Sequence, residues 1–108
     1  MEILKTTYNE FGFDAYLRYG RLIGIALRDL SADSQRNGTV PRPELGVGVR
    51  SYHLRHSRER ARLQIGMVRR PRHLILYRQI HPTVIGIGRV LHDRMEAQRH
   101  LPGAYGDD

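Results

Sequence analysis

The chain contains 108 residues, of which 40% are hydrophobic and 27% are charged, and it carries a net charge of +7 and no cysteine. This length provides one small domain with a single modest core. The absence of cysteine excludes disulfides and thiolate metal sites, which suits a reducing compartment. No apolar run approaches the length of a membrane span or of a secretory leader. We therefore expect one cytoplasmic domain over residues 1–102, a frayed tail at 103–108, and no contact with a membrane.

Positive charge is concentrated in the second half of the chain. Residues 50–78 contain nine arginines and a single acid, Glu59, so this segment accounts for the net positive charge of the whole chain. Arginine forms paired hydrogen bonds with phosphates and carboxylates. A segment with nine arginines and one acid is therefore expected to meet negative charge on a partner. The segment is expected to bind either a phosphate backbone or an acidic protein segment, and a merely solvated basic face is the third interpretation. Only Tyr52 and Tyr77 lie among these arginines, which argues against a base-stacking surface.

Apolar side chains recur at helical spacing through the first 30 residues, which predicts amphipathic helices with one face toward the core. The apolar positions are Leu4, Tyr8, Phe11, Ala15, Tyr19, Leu22, Ile23, Ala26, Leu27 and Leu30. Gly12 interrupts the pattern, and Asp14 is favourable beside the positive N-terminus of the helix that follows. The sequence therefore predicts a helical hairpin made of Met1–Glu10 and Asp14–Asp33.

Turn-forming residues follow the helices. Asn37-Gly38 ends the helical pattern, and the prolines and glycines between residues 41 and 48 predict an irregular loop. From Val49 to His56 apolar and polar residues alternate, which is typical of a strand with one solvated face. The arginine-rich residues 57–71 surround a small apolar island, and they are compatible with either an extended hairpin tip or a mobile basic flap.

Two apolar runs, residues 72–79 and 84–95, are separated by Ile80-His81-Pro82-Thr83, and a proline-containing loop of this length predicts a β-hairpin. Both runs are apolar on successive residues through their centres. Strands of that kind are usually covered on both faces. Both strands are therefore expected in the middle of the fold.

Alternation along the last strand puts Arg89 on the same face as its apolar neighbours Ile85, Ile87 and Leu91. After this strand, Asp93 can cap a short helix that runs to about His100. The predicted fold class is α+β. A helical hairpin packs on a small, mainly antiparallel sheet of three strands, and a short C-terminal helix follows.

Three segments carry a resemblance to a known family. They are residues 42–58 (RPELGVGVRSYHLRHSR), 71–78 (PRHLILYR) and 84–102 (VIGIGRVLHDRMEAQRHLP). In this order they resemble the ParE-type toxins of the RelE/ParE superfamily, over most of the chain from Phe11 to Pro102. ParE-type chains normally open with a strand ahead of the helical hairpin, so we expect an N-terminally shortened, RelE/ParE-like domain in which the first strand is missing.

The resemblance implies the toxin component of a type II toxin–antitoxin system, of the kind used in plasmid stabilisation. Such a toxin binds and inhibits DNA gyrase rather than catalysing a reaction. Its implied partners are gyrase and a small cognate antitoxin with an acidic segment that wraps the toxin, in a homo- or hetero-oligomer. Two alternatives stay open: a RelE-like endonuclease that cleaves messenger RNA on the ribosome, and an inactive remnant that only binds antitoxin.

The resemblance also points to particular side chains, because Arg50, Arg78, Arg89 and His92 lie where the family's sheet carries basic groups that stabilise transition-state charge. Lys5 is the only lysine, so lysine acid–base catalysis has no candidate, and we interpret His92 as fixing the turn into the last helix. We predict no catalytic residue. The predicted contacts with the target or the antitoxin are Arg50, Arg69, Arg70, Arg72, Arg78, Arg89 and His92.

Histidine spacing invites a metal hypothesis. His92, Glu96 and His100 are four residues apart and would share one face of a helix, an arrangement that can bind zinc. His92 is instead predicted to be the last strand residue, which breaks this spacing, and His53 and His56 are predicted on opposite faces of their strand. We predict no metal and no cofactor.

Overall fold

In the computed structural model of the chain, residues 2–94 are described. Two helices precede four strands, and short 3-10 helices lie at Pro43–Leu45 and Leu54–Ser57. The helices and strands are α1 Glu2–Phe11, α2 Phe13–Ala32, β1 Thr39–Pro41, β2 Val49–His53, β3 His73–His81 and β4 Val84–His92. The predicted α+β class is confirmed.

The helical hairpin is confirmed, with both helices beginning and ending within a residue or two of the predicted positions. Gly12 separates them at a φ of 89°, a conformation that side chains with a Cβ rarely adopt. The backbone N–H of Tyr16 donates to the Gly12 carbonyl at 3.1 Å and starts α2. The core-facing stripe of α2 includes Leu22, Ala26 and Leu30, all fully buried.

The sheet contains four described strands in the order β1-β2-β3-β4, and every neighbouring pair is antiparallel. The prediction of three strands was wrong, because Thr39–Pro41, which we assigned to a loop, pairs with residues 50–52 of β2. Pro41 lacks an N–H group, but a strand at the sheet edge does not need that donor on its outer side. Proline therefore does not exclude this short strand.

The strand predicted from Val49 to His56 ends earlier, at His53. The Nδ1 atom of His53 accepts a hydrogen bond from the Arg55 N–H at 3.1 Å, and this cap turns the chain into the 3-10 helix Leu54–Ser57. Leu54 and Ser57 are both fully buried there. The apolar alternation that we assigned to a longer strand thus comes partly from a helical turn.

The two faces of the sheet have different neighbours. The inner face, which includes Tyr52, Ile75 and Tyr77, packs against α2 and forms the main core. The outer face carries a second apolar cluster of Leu74, Leu76 and Leu91, on which Leu45 packs from the 3-10 helix Pro43–Leu45.

The predicted hairpin of β3 and β4 is confirmed, with a shorter turn that consists of Pro82-Thr83 between the paired residues His81 and Val84. Of these two strands, only β3 has a neighbouring strand on each side. β4 is an edge strand of the described sheet, and Val84 and Ile87 are 50% and 42% exposed. The expectation that both strands lie in the middle of the fold was therefore wrong for β4.

A β-bulge at Gly88 changes the faces that simple alternation predicted for β4. Leu76 pairs with Arg89 and Tyr77 pairs with Ile87, so Gly88 has no partner opposite it. The extra residue shifts the alternation by one. Arg89 remains on the outer face with Leu91, but Ile87 lies on the inner face with Tyr77, and Ile85 packs against the main core. The predicted common face was wrong in this respect.

Residues 57–71, which we predicted as an extended hairpin tip or a mobile basic flap, include no strand of the sheet. They contain one isolated bridge, between Leu63 and Gly66, and Arg58 Nη1 donates to the Arg69 carbonyl at 2.7 Å. Ala61 is buried against the main core. The predicted C-terminal helix falls almost entirely on residues outside the described range; only its residues 93 and 94 are described, and they have helical backbone.

Candidate functional site

An open cleft of about 350 Å³ lies on the outer face of the sheet. We call it the outer cleft; its lining includes Leu45, Val49, Leu76, Arg78, Gly88 and Arg89. The aliphatic side chains supply an apolar floor that continues into the cluster of Leu74, Leu76 and Leu91. The two arginines come from neighbouring strands and stand at its rim. Apolar floors with a few polar groups are the usual form of protein binding sites.

The local sequence builds the outer cleft in two ways. The bulge at Gly88 brings the Arg89 side chain to the outer face, opposite Leu76. Gly46, at a φ of 146°, lets the preceding loop approach closely, since a Cβ there would lie 3.2 Å from Val49 Cγ2 and 3.5 Å from Arg78 Nη2. Glycine at these two positions therefore shapes the cleft and places its charge.

The rim charges of the outer cleft have no internal counter-charge. Arg78 and Arg89 are both exposed, and neither makes an ion pair with an acid among residues 2–94. Other arginines do: Arg42 Nε lies 2.8 Å from Glu44 Oε2 in the loop beside the cleft. The outer cleft thus combines apolar surface with two cationic groups open to a partner.

A second group of polar side chains lies where β2 ends, β3 begins and β4 ends. We call it the histidine cluster, and its members are Tyr19, His53, Arg72, His73, His92 and Asp93. His73 and His92 are paired across the strands, with ring centroids 5.2 Å apart in an edge-to-face arrangement. Asp93 connects the rest, with His53 Nε2 at 3.2 Å and Arg72 Nη1 at 4.0 Å from its Oδ2.

Hydrogen bonds determine the tautomer of His53. Its Nδ1 accepts from the Arg55 N–H, so the ring proton is on Nε2 and is donated to Asp93. Burial lowers the pKa of His53, and the hydrogen bond with Asp93 only partly offsets this effect. Burial alone would raise the pKa of Asp93, but the hydrogen bond from His53 and the charges of His92 and Arg72 outweigh it, so this pKa is lowered. The pair is therefore a neutral imidazole beside an ionised carboxylate.

His73 is neutral for a similar reason. Burial, reinforced by the charge of His92, lowers the pKa of His73 to about 4. Its Nδ1 lies 2.5 Å from the Tyr19 hydroxyl, which also accepts the Arg72 N–H at 3.3 Å. Burial raises the pKa of Tyr19, so its hydroxyl stays neutral. Because the hydroxyl oxygen accepts from the Arg72 N–H, its O–H group is available as the hydrogen-bond donor to His73 Nδ1. The contact is a neutral hydrogen bond that joins α2 to β3.

The chemistry that the histidine cluster can support is limited. Both ring nitrogens of His53 are engaged, and His73 stays neutral far below physiological pH. His92 is half-buried, and its Nδ1 accepts from the Arg94 N–H at 3.0 Å. Its Nε2 makes no hydrogen bond within the described part of the chain. The open Nε2 of His92 can therefore form a hydrogen bond with a bound ligand, beside the Asp93 carboxylate.

A third polar group is buried between α2 and the loop after β2. Asp29 is 4% exposed, and its carboxylate accepts from Ser57 Oγ at 2.6 Å and lies 3.0 Å from both Arg36 and Arg60. Ser57 Oγ is also 2.6 Å from the Tyr52 hydroxyl. We call these residues the Asp29 network. The burial of Asp29 and the pairing of both its carboxylate oxygens point to a structural role.

The predicted contact residues fall into four places rather than one surface. Arg78 and Arg89 meet at the outer cleft, and Arg72 and His92 belong to the histidine cluster. Arg69 and Arg70 are exposed in the loop before β3. Arg50 lies on the inner face opposite Tyr77. Because a strand rises about 3.3 Å per residue, Arg72 and Arg78 are about 20 Å apart along β3.

The sequence patterns did not indicate that four residues of the histidine cluster belong together: Tyr19, His53, His73 and Asp93. Tyr19 was assigned to the core and Asp93 to a helix cap. The available signal was the position of His73 and His92 near the ends of the predicted hairpin strands. Using that signal requires the strand order and register, which bring residues 19 or more positions apart in the chain into contact.

Residues 2–94 contain no group of three or more histidines and acids that could hold a metal ion, and two of the three residues of the zinc hypothesis, Glu96 and His100, lie outside this range. No helix within the same range is long and apolar enough to cross a membrane.

The fold and the sites together define an α+β protein with a basic-rimmed apolar cleft on the outer face of an antiparallel sheet. Comparison with known proteins found no relative of this chain. No family model matches the chain, and neither a curated protein nor a solved structure is significantly similar to it.

Proposed function

We propose that this protein is the toxin component of a type II toxin–antitoxin system, that it acts in the manner of ParE by binding and inhibiting DNA gyrase, and that a cognate antitoxin neutralises it. The observation that carries the proposal is the outer cleft, whose apolar floor is bounded by two arginines that make no ion pair with an acid in the described part of the chain. A helical hairpin followed by an antiparallel sheet is also the order of elements that the sequence resemblance implies.

The outer cleft suits an amphipathic, acidic segment of an antitoxin. The apolar side of such a segment would cover the Leu45, Val49 and Leu76 floor, which removes hydrocarbon surface from water. Its carboxylates would meet Arg78 and Arg89 at the rim, where complementary charge increases the association rate and the specificity. An acidic segment is favoured over a neutral one because both rim positions carry the same charge.

The histidine cluster supports binding rather than catalysis. Cleavage of RNA by protein side chains needs a base for the attacking hydroxyl and an acid for the leaving oxygen. Hydrogen bonds occupy both nitrogens of His53, and His73 has too low a pKa to act as a base near neutral pH. These contacts instead join β2 and β3 to the end of β4 and to α2.

The target is tested by expressing the protein and following two processes in parallel. Inhibition of gyrase predicts filamented cells, DNA-damage signalling and loss of supercoiling by purified gyrase, while messenger RNA stays intact at first. Rapid cleavage of ribosome-bound messenger RNA with normal supercoiling would reject the gyrase proposal. Binding to antitoxin without any toxicity would identify an inactive remnant.

The docking surface is tested with two double variants that remove the same charge. We expect Arg78→Gln with Arg89→Gln to slow association with the acidic segment of the antitoxin by about tenfold at low salt and to reduce its salt dependence. The control, Arg69→Gln with Arg70→Gln, changes exposed arginines outside the outer cleft and should have a smaller effect. If the control slows association as much as the cleft variant, the outer cleft is not the docking site.

A RelE-like endonuclease is the second candidate function, and the open Nε2 of His92 beside Arg72 and Asp93 is the observation that favours it. In that case His92→Ala should abolish RNA cleavage while antitoxin binding persists. Toxicity that is unchanged in His92→Ala would leave gyrase inhibition as the better explanation.

A further inference from the structure

A second cleft, of about 300 Å³, opens where the loop after α2 meets the first residues of β2. We call it the Arg50 cleft; the lining residues that matter are Gln35, Pro41, Pro43, Val49, Arg50 and Gln79. It adjoins the opposite face of the sheet from the outer cleft, because Arg50 pairs with Tyr77 on the inner face. The Arg50 cleft is separate from the outer cleft, which is the surface proposed to bind the antitoxin.

Arg50 is a partly buried cation without a counter-charge. Its Nη2 donates to Thr39 Oγ1 at 2.9 Å, and its Nε is buried without a hydrogen-bond partner. No acid among the described residues makes an ion pair with it. Arg36 is the useful contrast, because its Nε is buried and unpartnered too, yet its Nη1 lies 3.0 Å from Asp29. Burying a guanidinium is unfavourable unless it is paired, so Arg50 calls for an anion.

The groups around Arg50 do not supply that anion. Asp33 acts on Tyr77 through its charge, but it makes no ion pair with Arg50 among the described residues. Its Oδ1 instead accepts the Gln35 N–H at 3.0 Å. Tyr77 donates its hydroxyl proton to the Ser34 carbonyl. Burial raises the pKa of Tyr77, so the phenol stays neutral at physiological pH. Arg50 also forms a hydrogen bond with the neutral Tyr77 hydroxyl, so no anion among the described residues balances the guanidinium charge at the cleft.

We propose that the Arg50 cleft binds the phosphate group of a small phosphate monoester, up to the size of a mononucleotide. Arginine favours phosphate because its planar donors match the phosphate oxygens. The cleft volume exceeds that of phosphate alone, and its other walls suit a nucleoside. Pro41 and Pro43 offer apolar contact for a ring, and the Gln35 side chain adds an amide group. This inference is independent of gyrase inhibition and of antitoxin binding.

The experiment is calorimetric titration of the full chain at pH 7.5 and low salt with inorganic phosphate, ribose 5-phosphate, AMP and CMP. We expect at least one of these phosphate compounds to bind. The mononucleotides should bind more tightly than inorganic phosphate, because the walls of the cleft contact the nucleoside. Arg50→Gln should weaken binding about tenfold or more, which is the effect of losing one charge-assisted pair. Arg78→Gln removes the same charge on the outer face and should change affinity less than about twofold.

Equal weakening by Arg50→Gln and Arg78→Gln would overturn the proposal, because the binding would then follow net charge and not the cleft. Absence of binding by all four compounds up to about 10 mM would overturn it as well. If Arg50→Gln does not fold, amide chemical shifts of the native chain decide. Shifts at Gln35, Gly48 and Gln79 on adding AMP or phosphate support the site, and shifts confined to residues 69–72 reject it.

Discussion

Replacement of Asp29 by alanine should destabilise the protein more than the loss of any exposed acid. The carboxylate is 4% exposed and accepts from the fully buried Ser57, while Arg36 and Arg60 lie 3.0 Å from its two oxygens. Of the acids whose exposure the structure describes, only Asp29 is buried. Its removal leaves the Ser57 hydroxyl with Tyr52 alone and both arginines without their anion.

The size of this effect follows from the exposure of each partner. The hydrogen bond from the buried Ser57 to a charged acceptor contributes about 2 kcal/mol. The side chains of Arg36 and Arg60 are 27% and 65% exposed, so water can solvate them after the change, and together their ion pairs add about 1 kcal/mol. We therefore expect Asp29→Ala to lower the free energy of unfolding by about 3 kcal/mol, a large part of the 5–15 kcal/mol that holds such a domain together.

Urea unfolding followed by circular dichroism measures this loss. With a denaturant slope of about 1–3 kcal/mol per molar for a small domain, the midpoint should fall by about 1–3 M. Asp29→Asn keeps an acceptor for Ser57 and should lie between the native protein and Asp29→Ala. Glu59→Ala is the matched control, because it removes one exposed acid that pairs with exposed Arg62 and should cost less than about 1 kcal/mol. If Asp29→Ala and Glu59→Ala have the same midpoint, the Asp29 network does not stabilise the fold.

Three further predictions test the histidine cluster and two glycines. Because the pKa of His73 is lowered to about 4 in the folded protein, the unfolded chain binds more protons between about pH 4 and 6.5, so stability should fall as pH falls through this window. His73→Gln should flatten that part of a stability–pH curve by about 1–2 kcal/mol for a half-buried ring, and an unchanged curve would contradict the assignment. Gly38→Ala should lower the thermal midpoint, since φ is 97° and the new Cβ would lie 2.7 Å from His56 Cγ. Gly24→Ala, with no heavy atom within 4 Å of the added Cβ, should raise the midpoint through a gain of about 0.5–1 kcal/mol in helix propensity, and the same sign for both glycine variants would refute this reading of the backbone.

Predictions from the sequence succeeded where a signal was local. The helical hairpin follows from apolar spacing and from Gly12, whose positive φ ends one helix and begins the next. The hairpin of β3 and β4 follows from two apolar runs around Pro82. Both kinds of element are formed by residues close together in the chain, so a window of the sequence contains the interactions that define them.

Predictions failed where a long-range contact decides the outcome. Thr39–Pro41 has weak strand character by itself, and it is a strand because β2 lies beside it. The bulge at Gly88 depends on how Leu76 and Tyr77 pair across the hairpin, and one extra residue reverses the face of Ile85 and Ile87 relative to Arg89. Neither feature is visible from alternation within one strand.

The sequence by itself determined the α+β class, the helical hairpin, the excess of arginine, the absence of cysteine and the presence of a single lysine, since these depend on composition and on local periodicity. Only the tertiary structure decided which arginines act together. Strand pairing separates Arg72 from Arg78, joins Arg78 to Arg89 at one apolar cleft, and leaves Arg50 without an anion in another. The reason is physical: whether a charge is satisfied depends on the neighbours that folding brings within a few ångströms, and those neighbours come from distant parts of the chain.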